Sequence, residues 1–194
     1  MDKTALRKQM LQLRSQCKPK FIENSARCIG GQLAALPEFR SAALVMLYHS
    51  YNNEAGTLPT LNYCLRTDKR VALPVTDEDF QLHAYEVRSL KDLRTDVRGI
   101  SEPDPLLCQP VDPSLIDLIA VPGVAFDMEG GRIGYGKGCY DRFLTHLRPE
   151  VPIIGLAYDF QVLPRVPQET SDRRMDLIIT EKGILKMPGS RISF

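Results

Sequence analysis

The spacing of apolar residues changes several times along the chain, and each change marks an element. From Asp2 to Cys17, Leu6, Met10, Leu13 and Cys17 recur at helical spacing and leave Lys3, Arg7 and Arg14 on other faces, which predicts an amphipathic helix. Lys20 to Leu36 carries a second stripe of Ile22, Ala26, Ile29, Leu33 and Leu36, ended by Pro37, because proline cannot continue a helix. The pattern then changes. Ala42 to Tyr48 (AALVMLY) is almost continuously apolar, as in a strand covered on both faces. Thr57 to Arg66 fits a short helix, Arg70 to Val75 a strand, and the alternating Phe80 to Val87 a more exposed strand. Lys91 to Pro113 is rich in charge and proline and reads as loop with little regular structure.

Leu115 to Val121 (LIDLIAV) is the strongest buried-strand pattern. A glycine-rich loop follows from Pro122 to Gly138, then a helix from Cys139 to Leu147 and strands at Val151 to Ala157 and Met175 to Thr180. Alternating strands and helices predict an α/β fold. The expected architecture is a single three-layer domain over residues 1–194, with a mixed, mostly parallel sheet and helices on both faces.

Composition narrows the function. Of 194 residues, 43% are hydrophobic and 25% charged, as in soluble globular proteins. The formal net charge is +1, so no global field recruits nucleic acid or an anionic membrane, and an anion site must be a local cluster. No signal peptide and no apolar run of membrane-spanning length is visible. The five cysteines, Cys17, Cys28, Cys64, Cys108 and Cys139, are odd in number and form no CxxC pair. That argues against a disulfide framework or structural zinc and for the reducing cytosol. A monomer is the expected state.

The chemistry concentrates after Leu115–Val121, in PGVAFDMEGGRIGYGKGCYDRF. This stretch holds six glycines, Gly123, Gly130, Gly131, Gly134, Gly136 and Gly138, with Arg132, Lys137 and Arg142 among them. Glycine lets the main chain approach a ligand closely. Between a strand and a helix, backbone N–H groups face an anion, so a polyphosphate is the natural guest. Gly131 to Lys137 satisfies G-x-x-x-x-G-K, but Gly138 stands where a P-loop needs Ser or Thr for Mg²⁺. The GxGxG spacing also fails the dinucleotide fingerprint. A glycine-rich surface hairpin is the bland alternative.

Arg132-Ile133-Gly134-Tyr135-Gly136-Lys137-Gly138-Cys139-Tyr140-Asp141-Arg142, preceded by P-G-V-A-F-D, resembles the signature of the 5-formyltetrahydrofolate cyclo-ligase family. That family's pattern is similar to P-G-x-A-F-D, a short spacer, then G-x-R-L-G-x-G-x-G-Y-Y-D. The resemblance runs along nearly the whole chain. It includes Lys3-x-x-Leu6-Arg7, Asn53-Glu54-Ala55-Gly56-Thr57, Gly155-Leu156-Ala157, Gln161, Thr170-Ser171-Asp172 and Met175 to Thr180. Cys139 stands where tyrosine is usual and Gly56 where an acid is usual.

The resemblance implies ATP-dependent closure of 5-formyltetrahydrofolate to 5,10-methenyltetrahydrofolate, with Mg²⁺. It places ATP on Lys3, Arg7 and the run Arg132, Ile133, Gly134, Tyr135, Gly136, Lys137, Gly138, Cys139 and Tyr140, with Arg132 and Lys137 as the catalytic cations. It places the folate on His49, Glu54 and Tyr135 to Cys139, and the metal on Asp141 and Asp172. On spacing alone, Asp141 fits a first-turn helix acid, Asp172 a turn or cap, the Lys3–Arg7 pair a solvated helix face, and His49 a strand end. No histidine pattern supports Cys139 as a nucleophile. Arg165, Arg173 and Arg174 stand as candidates for a glutamate tail. The rival readings are a phosphosugar isomerase or CoA transferase on a similar scaffold, a non-catalytic folate binder and, more weakly, a nucleic-acid binder.

Overall fold

The computed structural model of the chain describes residues 2–67, 69–168 and 173–192. Helix α1 (Lys3–Ser15) starts on Asp2, whose carboxylate accepts a hydrogen bond from the Ala5 N–H at 2.7 Å and caps the first turn. Helices α2 (Pro19–Ala35) and α3 (Pro37–Ser41) both open on proline, whose fixed φ and missing N–H suit that position. Strand β1 (Leu44–Met46) leads into α4 (Leu58–Arg66), then β2 (Arg70–Thr76) and β3 (Leu82–Val87). Next come β4 (Leu93–Thr95), β5 (Ser101–Pro103), β6 (Gln109–Val111), β7 (Leu118–Pro122), β8 (Ala125–Asp127) and β9 (Arg132–Ile133). Helix α5 (Cys139–Leu144), β10 (Ile153–Leu156), β11 (Val162–Leu163), β12 (Leu177–Thr180) and β13 (Gly183–Lys186) complete the order.

The main sheet runs β13-β12-β10-β7-β1-β2-β3-β6. Its centre, β12 through β2, is parallel, and its edges pair antiparallel. Both faces are covered, so β1, β7 and β10 carry no polar side chain. Val45, Leu118, Ala120, Ile154 and Leu177 pack with Ile29, Leu33, Phe39 and Leu61 from α2, α3 and α4. Leu44, Met46, Ile119, Val121, Ile153 and Ile178 pack on the other side with Phe143 and Leu144 of α5. The expected three layers and mixed, mostly parallel sheet are what the chain forms.

Helix α1 takes a different place. Its Leu6 and Met10 pack against Val124, Ala125, Ile133 and Val166, on a small sheet of order β11-β8-β9. Phe126 joins that small sheet to the main one. A Cβ at Gly123 would come 2.5 Å from its ring and one at Gly155 2.7 Å, so the ring occupies the space both glycines leave. Asp127, fully buried, accepts from the N–H groups of Gly131 at 2.7 Å, Val166 at 2.8 Å and Glu129 at 3.0 Å. Gln161 donates to the carbonyls of Gly123 and Val124. These motif residues build the loop and do not face a ligand.

Three sequence expectations are corrected. Lys91 to Pro113 is not structureless: it holds the β4–β5 hairpin, and β6 closes the edge of the main sheet. The Pro122–Gly138 stretch is not one loop, since β8 and β9 pair antiparallel within it. Helix α5 stops at Leu144, short of Leu147.

Candidate active site

In the main sheet β1 lies between β2 and β7, and successive connections lead away on either side, to β2 one way and to β7, β10 and β12 the other. Ligands of open α/β sheets bind outside the carboxyl ends of strands at such a switch point. A cleft of about 580 Å³ opens there, within the size range of small-molecule sites. Tyr48 and His49 beyond β1, Pro74 and Thr76 at the end of β2, and Pro122 at the end of β7 form its floor.

Every described residue assigned by sequence to ATP, folate or metal borders this one cleft: Lys3, Arg7, His49, Glu54 and the whole run from Arg132 to Asp141. They come from three separate parts of the chain. Asp172 lies outside the described residues. Arg165, Arg173 and Arg174 are not among the lining residues.

The glycine-rich run wraps the cleft's mouth. Gly136 and Gly138 have φ of 97° and 65°, in the left-handed region that favours glycine. The Arg7 guanidinium donates from Nε to the Gly134 carbonyl at 2.8 Å and lies beside Gly136. On the opposite side Arg142 donates to the carbonyls of Lys137 at 2.9 Å and Phe80 at 2.7 Å and to Gln81 Oε1 at 3.3 Å. The Lys137 ammonium sits 4.4 Å from the centre of the Phe80 ring, a cation–π contact. The run is thus held between α1 and the β2–β3 turn.

Arg132 is almost fully buried. It donates to Asp141 Oδ1 at 2.6 Å and to the Pro122 carbonyl at 3.3 Å, and its Nε has no protein partner. The Tyr140 hydroxyl, also on the cleft, is buried without a partner. Among the described residues no three His, Cys, Asp or Glu side chains converge as a metal site.

At the other end, Glu54 is 7% exposed and accepts the Tyr51 N–H at 3.0 Å. Its turn passes through Asn52 and Asn53, both at positive φ, and is anchored where the Tyr158 hydroxyl donates to the Glu54 carbonyl at 3.0 Å. Burial raises the Glu54 carboxyl above its ordinary value, while Arg14, the Tyr51 N–H and Tyr135 pull it down. Burial, then Glu54, pushes the Tyr135 phenol up to about 12. Burial also lowers the His49 imidazole. Gly56, where an acid is usual, packs against α2: a Cβ there would lie 2.7 Å from that of Ala26.

Several cleft residues escaped the sequence reading. Arg98, Ile100 and Glu102 reach it from the β4–β5 hairpin. The signal for them is Asp96-x-x-Gly99: Asp96 accepts from the N–H groups of Arg98 and Ile100, and Gly99 takes φ 81°, the chemistry of a tight hairpin turn. Arg14, placed by spacing off the apolar stripe of α1, is buried behind Tyr135.

A switch-point cleft ringed by a glycine-rich run and cations defines an α/β enzyme. The sequence matches the pattern of the 5-formyltetrahydrofolate cyclo-ligase family over residues 1–181, and the chain belongs to that family. The 5-formyltetrahydrofolate cyclo-ligase of Mycolicibacterium smegmatis is 30% identical over 194 residues, covering 96% of this chain and 97% of that one. The 5,10-methenyltetrahydrofolate synthetase of Aquifex aeolicus, solved by NMR, superposes with a TM-score of 0.86 at 34% identity, over 100% of this chain and 97% of its own. That of Mycoplasma pneumoniae gives 0.77 at 27% identity, over 93% and 99%.

Proposed function

We propose that this chain uses ATP to close 5-formyltetrahydrofolate to 5,10-methenyltetrahydrofolate, releasing ADP and phosphate. The observation that carries the reading is the convergence of Lys3, Arg7, Glu54 and the Arg132–Asp141 run on one cleft.

A formamide carbonyl is a poor electrophile and its oxygen a poor leaving group. Transfer of the terminal phosphoryl group of ATP to that oxygen corrects both. N10 of the folate then attacks the formyl carbon, loses its proton, and phosphate leaves with the former formyl oxygen. Phosphoryl transfer depends on positioning and charge neutralisation. Lys3, Arg7, Arg132 and Lys137 supply the cations, and the backbone from Ile133 to Tyr140 the close approach. Glu54 accepts from the amino and N–H groups of the pterin, with His49 and Tyr135 to Cys139 bordering the folate. Holding N10 beside the activated carbon makes closure intramolecular.

Mg²⁺ fits the donor set. It binds through one or two carboxylates plus substrate phosphates and keeps several waters, and Asp141 meets the cleft with its side chain 32% exposed and Oδ1 on Arg132. Asp141 and Asp172 would hold the ion, which neutralises phosphate charge when bound. The five free thiols are in keeping with a cytosolic setting.

The test incubates protein with 5-formyltetrahydrofolate and MgATP and follows the near-ultraviolet absorbance of the methenyl product. Growth that requires ATP is expected. A flat trace from folded protein that binds the folate overturns the reading in favour of a folate-buffering protein.

A further inference from the structure

Arg14 has the bulkiest of the fully buried side chains, with 1% of its surface exposed. It leaves the last turn of α1 and runs beneath the cleft without lining it. Nη2 donates to the Tyr135 hydroxyl, Nη1 approaches the Gly123 carbonyl at 3.5 Å, and the guanidinium carbon stands 5.5 Å from the centre of the Tyr135 ring. Nε is buried with no partner. The Arg14 carbonyl accepts from Asn53, next to Glu54 in the turn, at 3.3 Å. So Arg14 touches the chain on both sides of the folate end of the cleft, through Tyr135 and through the Glu54 turn.

A buried cation with an orphaned donor is a poor device for stability: replacing such a charge by an apolar side chain of similar volume is often neutral or stabilising. Its surroundings point elsewhere. The groups facing Glu54 are Arg14 from α1, Tyr48 after β1, Tyr135 and Tyr140 from the glycine-rich run, and Tyr158 after β10. Four are neutral phenols, so Arg14 is the cation of the set. Without it a carboxylate so buried would hold its proton to higher pH, and a protonated Glu54 offers the pterin a donor where an acceptor is needed.

We propose that Arg14 is a positioning residue for the folate, a buried counter-charge that aims Tyr135 and Glu54 at the ligand without touching it. This rests on the reading that Glu54 receives the folate.

Isothermal titration with 5-formyltetrahydrofolate, without ATP, tests it over a pH series that runs from neutrality toward acid. In Arg14→Met the loss of binding toward acid is expected to begin at higher pH than in the parent. On that limb the affinity falls about tenfold, while ATP affinity is unchanged. Arg14→Lys, which keeps the charge, is expected to restore most of the limb. A folded Arg14→Met that follows the parent at every pH overturns the proposal. Where Arg14→Met does not fold, Tyr135→Phe decides: the loss of the hydroxyl that Arg14 holds is expected to weaken folate binding several-fold, and unchanged binding overturns the proposal. Glu54→Gln separates the two ideas. If it binds folate like the parent, the Glu54 reading itself fails; if it binds weakly while Arg14→Met does not, the positioning role alone is wrong.

Discussion

Arg132 and Asp141 meet at 2.6 Å across the glycine-rich run, one from β9 and the other from α5. On the proposed reading the pair joins a cation for the phosphates to a carboxylate for the metal, so that loss of either is expected to affect both tasks. Asp141→Ala is expected to lower the cyclisation rate by roughly 10²-fold or more. It also leaves Arg132 buried without its carboxylate, at about 1–2 kcal/mol of stability, discounted because Asp141 is partly exposed. Initial rates against Mg²⁺ concentration and a thermal melt report the two effects. Parent-like activity at every Mg²⁺ concentration would remove Asp141 from the metal set.

Arg142 ties the glycine-rich run to the β2–β3 turn through Lys137 and Phe80 carbonyls. Arg142→Ala frees one wall of the cleft. The expected result is a rise of several-fold in the KM for ATP, with a smaller change in the KM for folate, because preorganisation lowers the cost of binding. Equal rises for both ligands would show that the tether shapes the whole cleft.

The central strands were legible in the sequence because both faces are covered. Leu118 to Val121 is buried at every position, alternately in the cluster with α2, α3 and α4 and in the one with α5, and a continuous apolar run is the trace of that. The edges were not. Strand β6 contains Pro110 and has polar or charged neighbours, and β13 is half exposed. Short edge strands need no apolar alternation. The glycine-rich run announced its place on the cleft, but Arg14 did not. Leu13 held the stripe position by spacing, yet it is 41% exposed while Arg14 is buried. The partner that buries Arg14, Tyr135, lies 121 positions later. Local periodicity has no access to a pairing at that distance.

Gly56 has a packing reason to lack a side chain. Gly56→Asp brings a Cβ to 2.7 Å from that of Ala26 and is expected to cost about 1–3 kcal/mol. Ala26→Gly in the same chain removes the clash and should recover most of it, less about 1 kcal/mol for a helical glycine. Urea denaturation of the two singles and the double closes the cycle. Simple additivity of the two losses would show that this contact is not the cause.

Asp117 gives the stability a pH dependence. Burial works to raise its carboxyl, but Arg148 and the N–H groups of Leu44 and Ala43 outweigh it, and the folded value falls below the ordinary one. A depressed carboxyl contributes stability above its unfolded value, about pH 4, and loses it as pH falls through the folded value. Asp117→Asn is therefore expected to be less stable than the parent by about 1–2 kcal/mol near neutrality. The gap should close progressively below about pH 4. A gap that stays constant through acid would assign the loss to shape and not to charge.

Phe126 bears on the end of β7 through Gly123 and on β10 through Gly155, so the small sheet that carries Arg132 and Ile133 is wedged against the main one. Close-packed interiors are barely compressible and transmit strain. Pressure on β9 is passed through that ring into two central strands, which have nowhere to yield. On the proposed reading the cleft is a vice with one fixed jaw. Whatever travel is needed to grip a ligand falls to Gly134–Gly138, where the backbone already occupies left-handed angles at Gly136 and Gly138.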